Sequence, residues 1–126
     1  MHKQYSSEQL SLLADYRFDE RLAVFGSLRP GASNAHILEP LGGIWFTGAV
    51  SGILEDRGWA ASQGYPGITL SCGGSVDVHV LCSHDLPAFW PTLDEFEGPD
   101  YRRVATVVRI AGTAVCAQIY ELAPRG

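Results

Sequence analysis

The sequence predicts an α+β fold in which short helices flank a small, closed or nearly closed β-sheet. Five stretches of apolar and β-branched residues have the length of strands, and glycines interrupt one of them where a curled sheet would bend. Strict alternation of strand and helix is absent, which argues against a doubly wound parallel sheet. The 126 residues are enough for one domain with a single core.

The N-terminal residues show a helical pattern. Ser6 and Gln9 have the spacing of a capping box, which predicts a helix over residues 6–16. The apolar residues that recur on one face of this helix are Leu10, Leu13 and Ala14. This spacing is typical of an amphipathic helix.

Two strands and a second short helix follow. Residues 22–25 form an apolar strand that stops at Gly26. Asn34 is placed to cap a short helix that runs through Leu38. Residues 44–54 are rich in β-branched and aromatic side chains and predict a strand, whose two glycines indicate a bend or bulge.

The pattern of the second half of the chain predicts three strands and one helix. The predicted ranges are 76–82 for a strand, 86–97 for the helix, and 101–110 and 113–122 for a hairpin. The first of these strands alternates, with valines at every second position facing inward. Pro91 kinks the helix or starts its second part. Ala111-Gly112 is the hairpin turn.

Composition excludes several classes of function. Nine basic residues against fourteen acidic ones give a net charge of −5, which disfavours nucleic-acid binding. The single lysine and the lack of a long apolar stretch argue against a membrane anchor, a signal peptide or a membrane span. The three cysteines are widely spaced and form no paired motif. We therefore expect a cytoplasmic protein with reduced thiols.

The loop after the first strand is one candidate binding site. Phe25 and Gly26 end the strand, and Ser27, Leu28 and Arg29 begin a turn toward a helix. Backbone N–H groups in such a turn can hold a carboxylate or an oxyanion, and the serine and arginine side chains offer further donors. The alternative is an ordinary turn whose glycine serves only the backbone conformation.

A carboxylate on the apolar side of the last helix is the second candidate. At about 100° per residue, Glu97 lies in the sector of Leu93, whereas Glu95 faces solvent. A carboxylate turned toward a core must be paired, raise its pKa or take part in chemistry. Glu97 is therefore a candidate general base. The alternative is a side chain at a frayed helix end that bends out to water.

The strand after this helix adds a phenol and two guanidinium groups. Tyr101 and Arg103 share one face of the strand, and Arg102 lies on the other. Either face can bring donors near Glu97, and the alternative is a solvated edge charge. His79 and Cys82 fall on opposite faces of their strand with no complete ligand set, so we expect no metal site.

These motifs, taken in order, resemble the γ-glutamylcyclotransferase-like superfamily, and most closely its small bacterial branch related to the plant avirulence-induced group. The matching segments are Gly26-Ser27-Leu28-Arg29, Tyr65-Pro66-Gly67, Leu93-Asp94-x-x-Glu97-Gly98 and Tyr101-x-Arg103. The resemblance implies a compact mixed β-barrel flanked by helices, with a cavity at one mouth. It implies a single domain over residues 22–126, preceded by an N-terminal helical extension over residues 1–21.

The resemblance also implies a reaction and its residues. Glu97 would be the acid/base that lets the free amine of a γ-glutamyl amine or peptide attack its own γ-carbonyl, giving 5-oxoproline and a released amine. The loop at Gly26 would bind the substrate through its amides, and Phe25 stands where the family has tyrosine. No cofactor is implied, and a monomer or small homo-oligomer is expected. The alternatives are a binding module without turnover and a hydrolase that releases glutamate.

Overall fold

The computed structural model describes residues 4–124. Within this range there are two α-helices and seven strands, together with short 3₁₀ turns. In chain order they are α1 (Ser7–Ser11), β1 (Arg21–Val24), β2 (Ile44–Val50), β3 (Gly52–Glu55), β4 (Gly67–Leu70), β5 (Val76–Cys82), α2 (Leu86–Glu97), β6 (Tyr101–Ile110) and β7 (Thr113–Leu122). Residues 1–3 of the predicted extension and residues 125–126 of the predicted domain lie outside the description.

Five of the strands close into a barrel in the order β1-β5-β2-β6-β7. The pair β1–β7 is parallel and the other pairs are antiparallel, so the barrel is mixed. Val78 and Val80 of β5 are almost fully buried inside it, as their alternation predicts. Helix α2 packs outside the barrel through Leu86 and Leu93, which join a second apolar cluster with Leu22 of β1. The predicted α+β fold with a small mixed barrel is confirmed.

The hairpin of β6 and β7 forms with the predicted turn. The register runs from Tyr101 opposite Leu122 to Ile110 opposite Thr113. Ala111 has φ of 48° and Gly112 has φ of 84°, so both turn residues are in the left-handed region. A two-residue turn of this kind matches the right-handed twist of the flanking strands.

The predicted strand over residues 44–54 divides into two. The chain leaves the barrel at Ser51, because β3 pairs with β4 in a separate two-stranded sheet. At this break the N–H of Gly52 donates to the carbonyl of Gly74 at 3.2 Å. Strand β4, which runs through a glycine- and serine-rich region, was absent from the sequence prediction.

The two short helices also differ from their predictions. The capping box at Ser6 and Gln9 is present, but the α-helix ends at Ser11 and continues as a 3₁₀ turn, leaving Ala14 exposed. Asn34 caps no helix with its side chain. Its Nδ2 donates instead to the Ser27 hydroxyl at 3.0 Å, so this residue stabilises the loop after β1.

The N-terminal segment covers the end of the barrel at which β1 begins. Leu13 is buried in the barrel core. Arg21, the first residue of β1, donates to the carbonyls of Leu13 and Tyr16 at 2.7 and 2.6 Å. Farther along the barrel wall, level with Val24, the Tyr5 hydroxyl accepts the Thr47 N–H at 2.8 Å. The opposite end of the barrel, where β1 ends, is therefore the end open to a ligand.

Two further findings concern residues 4–124. They contain no helix that is both long and apolar enough to cross a membrane. They also contain no cluster of three histidine, cysteine or acidic side chains that could hold a metal ion.

Candidate active site

A narrow cleft opens at the end of the barrel where β1 ends and β6 begins. Its cavity volume is about 40 Å³. The residues that line it come from six separate parts of the chain and include Phe25, Gly26, Ser27, Leu28, Trp59, Tyr65, Glu97, Tyr101 and Tyr120. The two candidate sites of the sequence, the loop after β1 and the end of α2, thus lie in one cleft.

Glu97 reaches the cleft because it is the last residue of α2. The helix continues across Pro91, and Gly98 ends it with φ of 75°. The carbonyl of Glu97 accepts the Trp59 Nε1–H at 2.9 Å, and the Trp59 ring packs edge-on against Phe96 at 5.3 Å between centroids. These contacts fix the end of the helix and hold Glu97 at the cleft.

The Glu97 carboxylate is half-buried and has no hydrogen bond or ion pair among residues 4–124. Burial alone raises its pKa from the ordinary value of 4.5 to about 7. Desolvation destabilises the charged form, and no cation or donor within residues 4–124 compensates for it. Near neutral pH this carboxyl group can therefore both accept and return a proton.

The loop after β1 lines the same cleft and carries backbone donors without an acceptor among residues 4–124. The carbonyl of Gly26 accepts the Arg29 N–H at 3.1 Å, and the carbonyl of Ser27 accepts the Asn34 N–H at 2.8 Å. The N–H groups of Gly26, Ser27 and Leu28 have no acceptor in the described part of the chain. The loop is thus held by its carbonyls, which leaves three amides for an anionic or carbonyl group of a ligand.

Arg29 lies at the boundary of the cleft. Its Nε donates to the Gly26 carbonyl at 3.0 Å, and it lines a neighbouring groove that shares Phe25 with the cleft. The oxygen of Tyr65 accepts the Ser33 N–H at 3.4 Å. Hydrogen bonds from Ser33, and then the charge of Arg29, lower the pKa of Tyr65.

The structure separates Tyr101 from Arg103. Tyr101 lines the cleft, where burial and then the charge of Glu97 raise its pKa. Arg103 does not line the cleft. Its guanidinium donates to Asp94 at 2.9 and 3.3 Å and lies 4.5 Å from the centre of the Trp90 ring.

Sequence reasoning assigned no site role to three aromatic residues of the cleft. Tyr65 lies within a matching motif and Tyr120 within the strand predicted over residues 113–122, whereas Trp59 belongs to none of the predicted elements. The Tyr120 hydroxyl donates to Asp94 Oδ1 at 2.6 Å, across 26 residues of sequence. Periodicity along a strand carries no signal for such a contact, because both partners are fixed by the packing of α2 on the barrel.

Fold and cleft together define a small mixed-barrel protein with an unpaired carboxylate among free backbone donors. The family model described as Gamma-glutamyl cyclotransferase, AIG2-like matches residues 22–126, and the chain belongs to this family. No protein of curated function matches it.

Solved structures share the fold. An aig2-like protein from Mus musculus has a TM-score of 0.60 and 23% identity, over 85% of this chain and 79% of that one. YkqA from Bacillus subtilis has a TM-score of 0.63 and 23% identity, over 82% of this chain. A protein from Arabidopsis thaliana, whose structure was determined in solution, has a TM-score of 0.64 and 24% identity, also over 82% of this chain. The chain spans 35% of YkqA and 61% of the Arabidopsis protein.

Proposed function

We propose that this protein converts a γ-glutamyl amine or peptide into 5-oxoproline and the free amine, with Glu97 as general acid/base. One observation carries the proposal. Glu97 is a half-buried carboxylate without a partner among residues 4–124, its pKa is raised to about 7 by burial, and it lies in a cleft with the free amides of the loop after β1. Membership of the cyclotransferase family supports it.

The proposed reaction is an internal acyl transfer. Glu97 removes one proton from the α-ammonium group, and the neutral amine nitrogen then attacks the γ-carbonyl carbon of the same glutamyl unit. A C–N bond forms as the five-membered ring closes, and the charge on the carbonyl oxygen develops opposite the amides of Gly26, Ser27 and Leu28. The attacking nitrogen gives up a second proton as the ring closes. The bond to the leaving nitrogen breaks as Glu97 returns one proton to it, and the second proton also ends on the released amine. Atoms, electrons and charge therefore balance without a co-reactant.

The site supplies what such a ring closure requires. Proton transfer by a positioned side chain contributes about 10²–10⁴-fold, and one donor to a developing oxyanion contributes about 10²–10³-fold. The attack is intramolecular, so the cleft has only to hold the glutamyl unit in a reactive conformation. A cavity of about 40 Å³ encloses part of a glutamyl unit at most, and the leaving amine remains at the open mouth.

A product assay tests the proposal. The protein is incubated with a panel of γ-glutamyl dipeptides and amines, and the products are identified by mass spectrometry. We expect 5-oxoproline from the unmodified protein and at least 100-fold less from Glu97→Gln. The matched control is Glu95→Gln, which changes an exposed glutamate of the same helix and should leave the rate unchanged. Full activity in Glu97→Gln would overturn the role of Glu97, and free glutamate as product would identify a hydrolase.

A binding module without turnover is the second candidate function, and Phe25 favours it. This residue lines the cleft but contributes no hydroxyl where the sequence resemblance expects tyrosine. The binding module predicts that γ-glutamyl compounds raise the melting temperature while no product forms. Formation of 5-oxoproline excludes it.

A cytoplasmic location and a monomeric or small oligomeric state remain predictions.

A further inference from the structure

The hydroxyl group of Tyr120 has a fixed orientation. Tyr120 is 5% exposed and lines the cleft beside Glu97. Its hydroxyl donates to Asp94 Oδ1 at 2.6 Å. A phenol carries one hydrogen, and once that hydrogen is donated the oxygen can act only as an acceptor.

Asp94 is itself held in place. The Nε and Nη2 atoms of Arg103 donate to the two carboxylate oxygens of Asp94 at 2.9 and 3.3 Å, and the guanidinium also lies against the Trp90 ring. The hydrogen bond from Arg103 is the main cause that lowers the pKa of Asp94. Asp94 therefore stays ionised at neutral pH, and the Tyr120 hydrogen stays directed toward it.

The hydroxyl group of Tyr65, in the same cleft, accepts a hydrogen bond where that of Tyr120 donates one. The Tyr65 oxygen accepts the Ser33 N–H at 3.4 Å, and its own hydrogen has no acceptor among residues 4–124. Tyr65 and the amides of the β1 loop thus carry hydrogens without an acceptor among residues 4–124, whereas Glu97 and Tyr120 carry oxygen lone pairs in the same cleft. The Arg103 guanidinium also interacts with the Tyr120 side chain. A zwitterionic amino acid group has this pattern, with an anionic carboxylate on one side and an ammonium on the other.

We infer that Tyr120 binds the α-ammonium group of the γ-glutamyl substrate, accepting one of its N–H hydrogens beside Glu97. Asp94 and Arg103 are positioning residues that keep the Tyr120 hydroxyl turned away from the ligand. The inference rests on the proposed function and deepens it. Ligands with a free primary ammonium are selected, because an analogue without it leaves the two acceptors unpaired.

Two ligands that differ only in the amino group test the inference. γ-Glutamyl-alanine carries the α-ammonium, and glutaryl-alanine is the same molecule without it. Their dissociation constants are measured by calorimetry in a Glu97→Gln background, which prevents turnover. We expect the additional change Tyr120→Phe to weaken binding of γ-glutamyl-alanine at least ~10-fold and that of glutaryl-alanine less than ~2-fold.

Two further variants separate ligand contact from a structural role. Asp94→Ala keeps the Tyr120 oxygen but releases its hydrogen, and should weaken γ-glutamyl-alanine selectively, in the same direction as Tyr120→Phe. Tyr65→Phe is the matched control in the same cleft and should not discriminate between the ligands. Equal weakening of both ligands by Tyr120→Phe, or no weakening of either, would overturn the inference, as would failure of γ-glutamyl-alanine to bind.

The inference and the proposed function can fail separately. If γ-glutamyl-alanine binds in a Tyr120-dependent manner but the unmodified protein releases no 5-oxoproline, the reaction is wrong and the ammonium site stands. If 5-oxoproline forms and Tyr120→Phe leaves KM and kcat unchanged, the reaction stands and the ammonium site is wrong.

Discussion

The two ends of the barrel use their polar groups in opposite ways. At the end where β1 begins, the terminal nitrogens of Arg21 donate to three backbone carbonyls, and the N-terminal segment covers the core. At the other end, three consecutive loop amides and the Glu97 carboxylate have no partner among residues 4–124. Groups that are paired in this way stabilise the fold, whereas groups left without a partner in a cleft are available to a ligand.

Two carboxylates, one at each end of the barrel, have pKa values that shift in opposite directions. Glu20 at the covered end is buried, but it accepts the Arg17 N–H at 2.9 Å and lies 3.0 Å from His84 Nδ1, and these bonds lower its pKa. Glu97 at the open end has no such bond, and burial raises its pKa to about 7. Partners, and not burial alone, decide the direction of the shift.

The largest expected difference between the two ends is in activity. Glu97→Gln should lower the rate of 5-oxoproline release by about 10²–10⁴-fold, because the amide cannot take the proton. Glu20→Gln should leave the kcat of the folded protein unchanged. The two variants are compared by initial rates with the same substrate. Equal loss in both would remove the distinction between the ends.

The next effect is on stability at the covered end. Leu13→Ala should lower the free energy of unfolding by about 2–5 kcal/mol, since it opens a cavity in the barrel core. The neighbouring Leu12 is 41% exposed, and Leu12→Ala should change stability by less than about 0.5 kcal/mol. Both are measured by urea denaturation. Similar values for the two variants would show that the segment does not cover the core as described.

The pH dependence of stability should differ in sign between the two carboxylates. The pKa of Glu97 is raised in the folded state. Its contribution to the free energy of unfolding is therefore fully present below pH 4.5 and is lost as the pH rises to about 7. For this half-buried group, allowing for screening by solvent, the loss is about 1–3 kcal/mol. The pKa of Glu20 is lowered, so its contribution is lost as the pH falls below its ordinary range.

Denaturation curves at several pH values between 4.5 and 7.5 check this sign. The Glu97→Gln variant should lose the decline in stability over that range, and the Glu20→Gln variant should keep it. If the free energy of unfolding of Glu97→Gln still falls over this pH range, a group other than Glu97 causes the fall.

The smallest expected effect concerns the contact between the N-terminal segment and β2. Tyr5→Phe removes the acceptor of the Thr47 N–H and should cost about 0.5–1.5 kcal/mol of unfolding free energy. Activity should not change, because Tyr5 does not line the cleft. A change in KM without a change in stability would contradict this prediction, because it would show that Tyr5 affects substrate binding in the cleft.

Local patterns in the sequence predicted most of the barrel. The alternation of residues 76–82 and the Ala111-Gly112 turn each specify their structure through neighbours in sequence. Helical periodicity also placed Glu97 on the apolar side of α2. These features depend on the period of a strand or helix, which a single sequence displays directly.

Features that depend on distant partners could not be predicted. The departure of the chain from the barrel at Ser51 requires β4 as a pairing partner, and β4 has too few apolar residues to be recognised alone. Two contacts of Asp94 form only when α2 packs against β6 and β7. They are the hydrogen bond from Tyr120 and the ion pair with Arg103. In each case a tertiary contact, and not a local preference, decides which polar groups are paired.

Titration of the Glu97 carboxyl group tests the central claim most directly. The carboxyl carbons of glutamate are labelled with ¹³C, their chemical shifts are followed by NMR from about pH 4 to pH 9, and the Glu97 signal is assigned by its absence in Glu97→Gln. An unpaired, desolvated acid/base at the open end should titrate near pH 7. A midpoint near 4.5, the value of an ordinary solvated glutamate, would contradict the account.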